Sequence, residues 1–338
     1  MNIAFRVDAT DTIGIGHFMR CLALSEELNK RGYSCFFVTK INIDFLISKI
    51  KKENIFFQLN PNLNLKEDVK ELINYSNKKN IDWIITDHYG LNKEYIAYLK
   101  KNNFKVLSID DISKIHYFSD IVLNQNIESE KLNYSSEKYT QFLLGPKYAI
   151  LRDRLLIRND KKFNLKVKNI LIILGGTDKN NLTLKLIELL FPISKQIKIT
   201  VIIGPLHRNY NEIIKYVNDK NINIDIKKSP ENIEEVYLNS DIALSAGGIT
   251  CYELAYFGIP NIIITIAENQ IKSAKGLDNK SVSLYLGSES IVDMNYVKKK
   301  IDELINNDKL RKTMSNNGKK LVDGRGKIRI INVMESYS

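Results

Sequence analysis

The sequence predicts an α/β protein built from two Rossmann-like, doubly wound parallel sheets. Three observations carry that expectation. Short β-branched and aromatic runs alternate with longer amphipathic stretches along the 338 residues, the pattern of strand–helix units. The runs lack polar alternation, which suits strands covered on both faces in a parallel sheet. The plan also occurs twice, and the length suits two ordinary domains better than one core.

In the first half the strand candidates are Ile3–Val7, Cys35–Val38, Trp83–Thr86, Lys105–Ile109 and Ile121–Leu123. Between the first two lies a helical pattern, Phe18–Lys30, with apolar Met19, Leu22, Ala23 and Leu28 on one face. The second half offers Asn169–Leu174, Ile199–Ile203, Ile222–Ile226, Ile242–Leu244 and Asn261–Thr265. The join is expected near 155–167, where Arg152-Asp153-Arg154 leads into a Lys/Asn-rich stretch. The expected organisation is therefore an N-terminal domain over 1–157, a second over 158–325 and a terminal helix over 326–338. Two such domains imply a cleft where the carboxyl ends of both sheets face each other.

The formal net charge is +11, but the basic residues are scattered and their short runs fall at expected helix ends. Such screened surface charge implies no nucleic-acid partner and at most a weak pull on an anionic substrate. Cys21, Cys35 and Cys251 are odd in number and lack metal-like spacing, so they read as buried, reduced thiols. A strand-like run begins at Asn2 with no basic and apolar leader before it, and no apolar run reaches membrane-spanning length. A cytoplasmic protein without a membrane partner is expected.

The chemistry-bearing residues fall at strand ends. After the first strand comes Asp11-Thr12-Ile13-Gly14-Ile15-Gly16-His17. Gly14 and Gly16 let the backbone approach a ligand, and the helix start offers N–H groups to an anion. The spacing fits neither a Walker A loop nor the dinucleotide fingerprint. His17 reads equally as a catalytic base or a hydrogen-bonded surface histidine. The third strand ends in Asp87-His88-Tyr89-Gly90; Asp87 fits an imidazole-orienting carboxylate or a helix cap. Asp110-Asp111 resembles a metal or acid/base pair, although a strand-end turn with a cap explains it better. In the second half, Gly175-Gly176-Thr177-Asp178 suits a phosphate or sugar contact, or a plain turn capped by Thr177 or Asp178. Gly247-Gly248-Ile249-Thr250 opens a helix carrying Glu253, an anion site with a carboxylate one turn on. Glu268, Asn269 and Gln270 follow the next strand, where a helix's first turn is the plainer reading.

Together the segments 13–25 (IGIGHFMRCLALS), 87–90 (DHYG), 175–178 (GGTD), 246–260 (AGGITCYELAYFGIP), 267–270 (AENQ) and 323–326 (DGRG) resemble one family from end to end. It is the UDP-sugar hydrolases of pseudaminic acid biosynthesis, with the related spore-coat polysaccharide proteins, within the GT-B superfamily. The resemblance implies cytoplasmic, metal-independent, inverting hydrolysis of UDP-2,4-diacetamido-2,4,6-trideoxy-β-L-altropyranose, for a surface glycan such as that on flagellin. It implies His17 as general base, with Tyr89 and Asn269 in the sugar pocket; Asp87, read from its place at the strand end, is the candidate to orient that base. Glu253 would bind ribose, Gly248, Ile249 and Thr250 the pyrophosphate, and 229–233 the uracil. Gly14, Gly16, Gly175, Gly176, Thr177, Glu268 and Gln270 would complete the substrate contacts. No cofactor is implied, the partner is the UDP-activated amino sugar, and the chain is expected as a monomer or weak homodimer. A GT-B glycosyltransferase using the same UDP site is the alternative.

Overall fold

The computed structural model describes residues 1–9, 15–156, 161–176, 178, 180–205, 207–220 and 224–337. The chain divides into two compact units, one of residues 1–153 with 324–338 and the other of 154–323. The division thus lies a few residues ahead of the expected join at 157/158, which falls outside the described residues. The terminal segment belongs to the first unit.

Unit 1 begins β1 (Asn2–Val7), α1 (Gly16–Lys30), β2 (Ser34–Thr39), α2 (Asp44–Lys51), β3 (Ile55–Gln58) and α3 (Leu65–Lys78). It continues β4 (Trp83–Asp87), α4 (Lys93–Lys101), β5 (Lys105–Ile109), β6 (His116–Tyr117), β7 (Ile121–Asn124), β8 (Ser135–Ser136) and β9 (Gln141–Leu144). A single helical turn, α5 (Asp153–Leu156), spans the division. The main sheet has the order β3-β2-β1-β4-β5-β7-β9, all parallel. Side-chain alternation along β1 explains how helices cover both faces. Ile3, Phe5 and Val7 enter one buried cluster with α1 and Leu46 and Ile50 of α2. Ala4 enters the other, with Val69, Leu72 and Ile73 of α3 and Ile96 and Leu99 of α4.

Unit 2 runs β10 (Asn169–Ile173), α6 (Leu182–Leu190), β11 (Lys198–Ile203), α7 (Tyr210–Asp219), β12 (Ile224–Lys228) and α8 (Ile233–Asn239). Then come β13 (Ile242–Ser245), α9 (Thr250–Phe257), β14 (Asn261–Thr265), α10 (Ile271–Asn279), β15 (Ser283–Ser288), α11 (Met294–Asn306) and α12 (Asp308–Leu321). Its parallel sheet has the order β12-β11-β10-β13-β14-β15. In both sheets the order reverses beside the first strand, between β1 and β4 and between β10 and β13. Ligands of open α/β sheets bind outside the strand ends at such a point.

The sequence reading omits β3, β9 and β15, which are sheet edges. Their residues are mostly half-exposed, so they lack the fully apolar run of a central strand. The expected strand Ile222–Ile226 is found at Ile224–Lys228, with 221–223 outside the described residues.

The last helix, α13 (Gly326–Glu335), sends Ile330, Ile331 and Met334 into the cluster around α1 and β1. A Cβ on Gly326 would clash with the Ala149 carbonyl oxygen and lie 2.6 Å from the Tyr148 carbonyl carbon. Both atoms are backbone and cannot swing away, so the DGRG segment has a packing reason for its second glycine. Replacing Gly326 by Ala should lower stability by about 1–3 kcal/mol through overpacking, read as a lower urea midpoint at unchanged slope; an unchanged midpoint would show that the helix start relaxes freely.

Arg6 of β1 lies buried on the α3–α4 face beside Asp68 of α3. Its Nε and Nη2 donate to the two Asp68 oxygens at 3.0 and 2.8 Å. Tyr95 Oη donates to the same carboxylate at 2.7 Å, and Lys40 Nζ lies 3.0 Å away. Burial alone would raise the Asp68 pKa, but these partners hold it at about 2 against an ordinary 3.8. A carboxyl with a depressed folded pKa adds stability above its unfolded pKa and loses it as pH falls through the folded value. The contribution should be roughly 2 kcal/mol, lost between about pH 4 and pH 2. In Asp68→Asn, denaturant midpoints measured across that window should lose this part of their acid slope, and an unchanged slope would assign it to other carboxylates.

Candidate active site

Four neighbouring strands of unit 1 deliver side chains to one cluster. The chain leaving β1 starts α1, which carries His17 and, one turn on, Arg20. Asp87 is the last residue of β4, paired in register with Val7 of β1. Tyr89 follows two residues later, Asp111 follows β5, and Asn126 follows β7.

His17 Nδ1 lies 2.6 Å from Asp87 Oδ1. Arg20 grips both oxygens of Asp87, with Nε to Oδ2 at 2.6 Å and Nη2 to Oδ1 at 2.7 Å. The other edge of the same guanidinium grips Asp111, with Nη1 to Oδ1 and Nη2 to Oδ2, both at 2.9 Å. Asp111 also accepts from Tyr89 Oη at 2.8 Å and from Asn126 Nδ2 at 2.8 Å. The His17 and Tyr89 rings meet edge to face, with centroids 4.5 Å apart. His17, Arg20 and Asp87 are buried, whereas Tyr89 is 39% exposed.

Hydrogen counting fixes the imidazole tautomer. Arg20 Nη2 also lies 3.0 Å from His17 Nδ1. Its two hydrogens are already directed to Asp87 Oδ1 and Asp111 Oδ2. An ionised carboxylate only accepts, so the proton between His17 and Asp87 belongs on Nδ1. In the neutral ring, Nε2 then carries the lone pair. Burial works against the charge on Asp87, but Arg20 and His17 more than offset it and hold the carboxyl well below the usual range. Asp111 is held down against burial in the same way, chiefly by Arg20. Burial alone would lower the Arg20 pKa, and the two carboxylates raise it instead.

Several alternatives open in the sequence now have answers. Asp87 caps no helix, since the first turn of α4 is capped by Asn92. Asp110 and Asp111 do not act as a pair. Asp110 Oδ2 accepts from the backbone of Ile112 and Ser113 in a turn, while Asp111 points into the cluster. Among the described residues, no group of three His, Cys, Asp or Glu is arranged to hold a metal. Gly16 is exposed, and a Cβ there would meet no described atom within 4 Å. Gly14 lies outside the described residues.

In unit 2 the expected residues lie at the ends of β10, β13 and β14, again neighbouring strands. Gly175 has φ +94°, which favours glycine. A Cβ on Gly204, after β11, would come within 2.6 Å of the Gly175 and Gly176 backbone. The N-cap position of α6 is Asn181, and Asp178, three residues before it, serves the helix start, its two oxygens accepting from Leu182 N and Thr183 N at 2.9 and 2.7 Å; Thr177 lies outside the described residues. Gly248, Ile249 and Thr250 form the start of α9, whose first N–H groups precede the first intrahelical bond. Glu253 is buried in the first turn, its Oε2 accepting from Tyr237 Oη of α8 at 2.7 Å. Glu268, Asn269 and Gln270 form one 3₁₀ turn ahead of α10. Glu268 and Asn269 are exposed, while Gln270 Oε1 accepts from Ile266 N at 3.0 Å. The β13 and β14 loops touch, since a Cβ on Gly247 would lie 2.8 Å from Gln270 Cβ.

Arg20, Asn126 and Tyr237 were not foreseen. For Arg20 a signal existed, because a residue three places after His17 shares its helix face. Asn126 and Tyr237 join through tertiary packing and carry no local mark.

Residues 170–326 match the glycosyltransferase family 28 C-terminal domain. An uncharacterized protein of Methanocaldococcus jannaschii is 28% identical over 285 residues, covering 80% of this chain and 57% of that protein. The chain thus spans little more than half of that relative's length. The spore coat polysaccharide biosynthesis protein SpsG of Bacillus subtilis is 24% identical over 340 residues, covering 99% and 98% of the two chains. The UDP-2,4-diacetamido-2,4,6-trideoxy-β-L-altropyranose hydrolase of Campylobacter jejuni is 27% identical over 256 residues, covering 74% of this chain and 86% of that enzyme. Among solved structures, MurG of Acinetobacter baumannii superimposes with a TM-score of 0.71 at 14% identity, over 99% of each chain. The strand orders, the family 28 match and this likeness agree that the chain has the GT-B fold, two Rossmann-like parallel-sheet domains.

Proposed function

We propose that the chain hydrolyses a UDP-linked 2,4-diacetamido-2,4,6-trideoxy-L-altrose at the anomeric C–O bond, with inversion and without a metal. The free sugar would supply pseudaminic acid biosynthesis. The observation that carries this reading is the 2.6 Å contact between His17 Nδ1 and Asp87 Oδ1, which leaves Nε2 as the basic nitrogen. The name of the Campylobacter jejuni relative supplies the substrate.

In this reading, His17 Nε2 removes a proton from a water as its oxygen attacks the anomeric carbon. The C–O bond breaks, and its electron pair leaves on the β-phosphate oxygen of UDP. Such a base contributes about 10²–10⁴-fold. UDP is a good leaving group and needs no protonation. The start of α9 at Gly248, Ile249 and Thr250 and the turn at Gly175 and Gly176 offer backbone N–H groups to the diphosphate. Glu253, on α9, accepts hydrogen bonds from the ribose diol. Tyr89 and Asn269 contact the sugar.

The family 28 match and the likeness to MurG favour a second reading, transfer of the sugar to an acceptor hydroxyl. The same base would then deprotonate the acceptor. Release of UDP from the diacetamido sugar nucleotide, assayed with EDTA and without acceptor, separates the two. Rapid release supports hydrolysis, whereas tight UDP binding without release supports transfer. His17→Ala should lower turnover about 10²–10⁴-fold with UDP affinity within a few-fold. Lost UDP affinity would make His17 a phosphate ligand instead. Glu253→Ala should weaken UDP binding about 10–100-fold through the lost charged hydrogen bonds, measured by calorimetry; unchanged affinity would remove it from the nucleotide site.

A further inference from the structure

We infer that Arg20 is a positioning residue, a rigid strut through which the sheet sets the geometry of both His17 and Tyr89. This deepens the proposed reading and rests on it.

The argument is geometric. One planar guanidinium bonds two carboxylates, each across both oxygens, at 2.6 to 2.9 Å. Each carboxylate has a further duty: Asp87 meets His17 Nδ1, and Asp111 accepts from Tyr89 Oη. The chain from His17 to Tyr89 therefore runs imidazole, Asp87, Arg20, Asp111, phenol, and Arg20 is its only cationic link. The two carboxylates sit at the ends of different strands, Asp87 as the last residue of β4 and Asp111 just after β5. Without a link, each could rotate about its own side-chain bonds. The fork removes that freedom, because a bidentate pair fixes the carboxylate plane as well as its distance. Arg20 itself is locked, 6% exposed, on the helix that carries His17. Asn126 braces Asp111 from the β7 side.

A lysine at this position would keep the positive charge and lose the fork, since an ammonium cannot span two carboxylates edge-on. The test compares Arg20→Lys, His17→Ala and the double variant. The readouts are turnover, UDP affinity and the ¹⁵N spectrum of labelled histidine. If Arg20 acts through geometry, Arg20→Lys loses about 10²-fold in kcat, as misplacement of a catalytic group costs, with UDP affinity within a few-fold. The double variant is then no slower than His17→Ala alone, and the single Nδ1–H form of the His17 ring gives way to a mixture. Wild-type turnover in Arg20→Lys, additive losses in the double variant, or an unchanged ring spectrum each overturn the proposal. So does a parallel loss of stability and UDP affinity, the mark of a merely structural arginine. Should Arg20→Lys fail to fold, the isosteric Asp111→Asn weakens one edge of the fork and predicts the same direction, smaller in size. If the wild-type protein releases no UDP, the hydrolase reading fails by itself, and the ring spectrum alone decides whether Arg20 sets the imidazole.

Discussion

The parallel pairing of β1 with β4, and of β10 with β13, is the constraint on which the sites depend. A parallel strand returns by a crossover, so every strand of a sheet ends on the same edge. At the reversal of strand order, successive crossovers depart to opposite faces and leave a gap above the strand ends. In unit 1 the register Val7 to Asp87 brings the end of β4 beside the chain that starts α1. The contact between His17 and Asp87, 70 residues apart in sequence, is a consequence of that register. A slip of one residue would turn Asp87 to the opposite face. In unit 2 the same reversal sets Gly175 and Gly176 beside the loop that starts α9.

Burying three charges in the unit 1 cluster has a large desolvation cost, which only dense pairing offsets. Arg20 meets two carboxylates, and each of these accepts from further donors. The second buried cluster, Arg6 with Asp68, follows the same logic on the α3–α4 face of the sheet but touches none of the proposed catalytic groups. Its partners tie β1 to α3 and α4, so its role is to hold the strand from which the site departs. The resemblance of the two clusters shows why burial of an ion pair alone does not identify a site. What separates them is the pairing: the Arg20 carboxylates meet His17 and the partly exposed Tyr89, whereas Arg6 also pairs with Asp8, which lies 3.4 Å from the His88 imidazole.

Central strands were legible in the sequence because burial on both faces writes itself as an unbroken apolar run: Ile170 to Ile173 of β10 are all buried. Three of the four edge strands were not, since β3, β9 and β15 carry half-exposed residues that dilute the run; the fourth edge, β12, was found with its bounds shifted by two residues. At the site, local chemistry was legible and long-range chemistry was not. His17 follows a glycine turn, and Asp87 ends a strand. Arg20, by contrast, looks like any helical arginine until the ends of two other strands arrive. The preferred reading of Asp110-Asp111 as a strand-end turn holds for Asp110, which accepts from Ile112 and Ser113, but it gave no sign that Asp111 would meet Arg20. Asp178 was ambiguous between a ligand contact and a cap, and its oxygens accept from the first two N–H groups of α6, with His207 Nε2 3.5 Å from Oδ2.

The electrostatics of the cluster also bear on reaction class. A glycosidase acting on an unactivated sugar needs a carboxylic acid that keeps its proton near neutral pH and gives it to the leaving oxygen. Asp87 and Asp111 are both held below the ordinary carboxylate range, and Arg20 is the chief partner that holds them there. Neither can serve as that acid, because neither carries a proton to give. Asp87 instead accepts the proton on His17 Nδ1, which leaves Nε2 as the basic nitrogen of the proposed reaction. A base supported in this way, without a protonated carboxyl among its partners, suits a substrate whose leaving group departs as a stable anion. A nucleoside diphosphate is such a group, so the charges around His17 are compatible with the proposed chemistry.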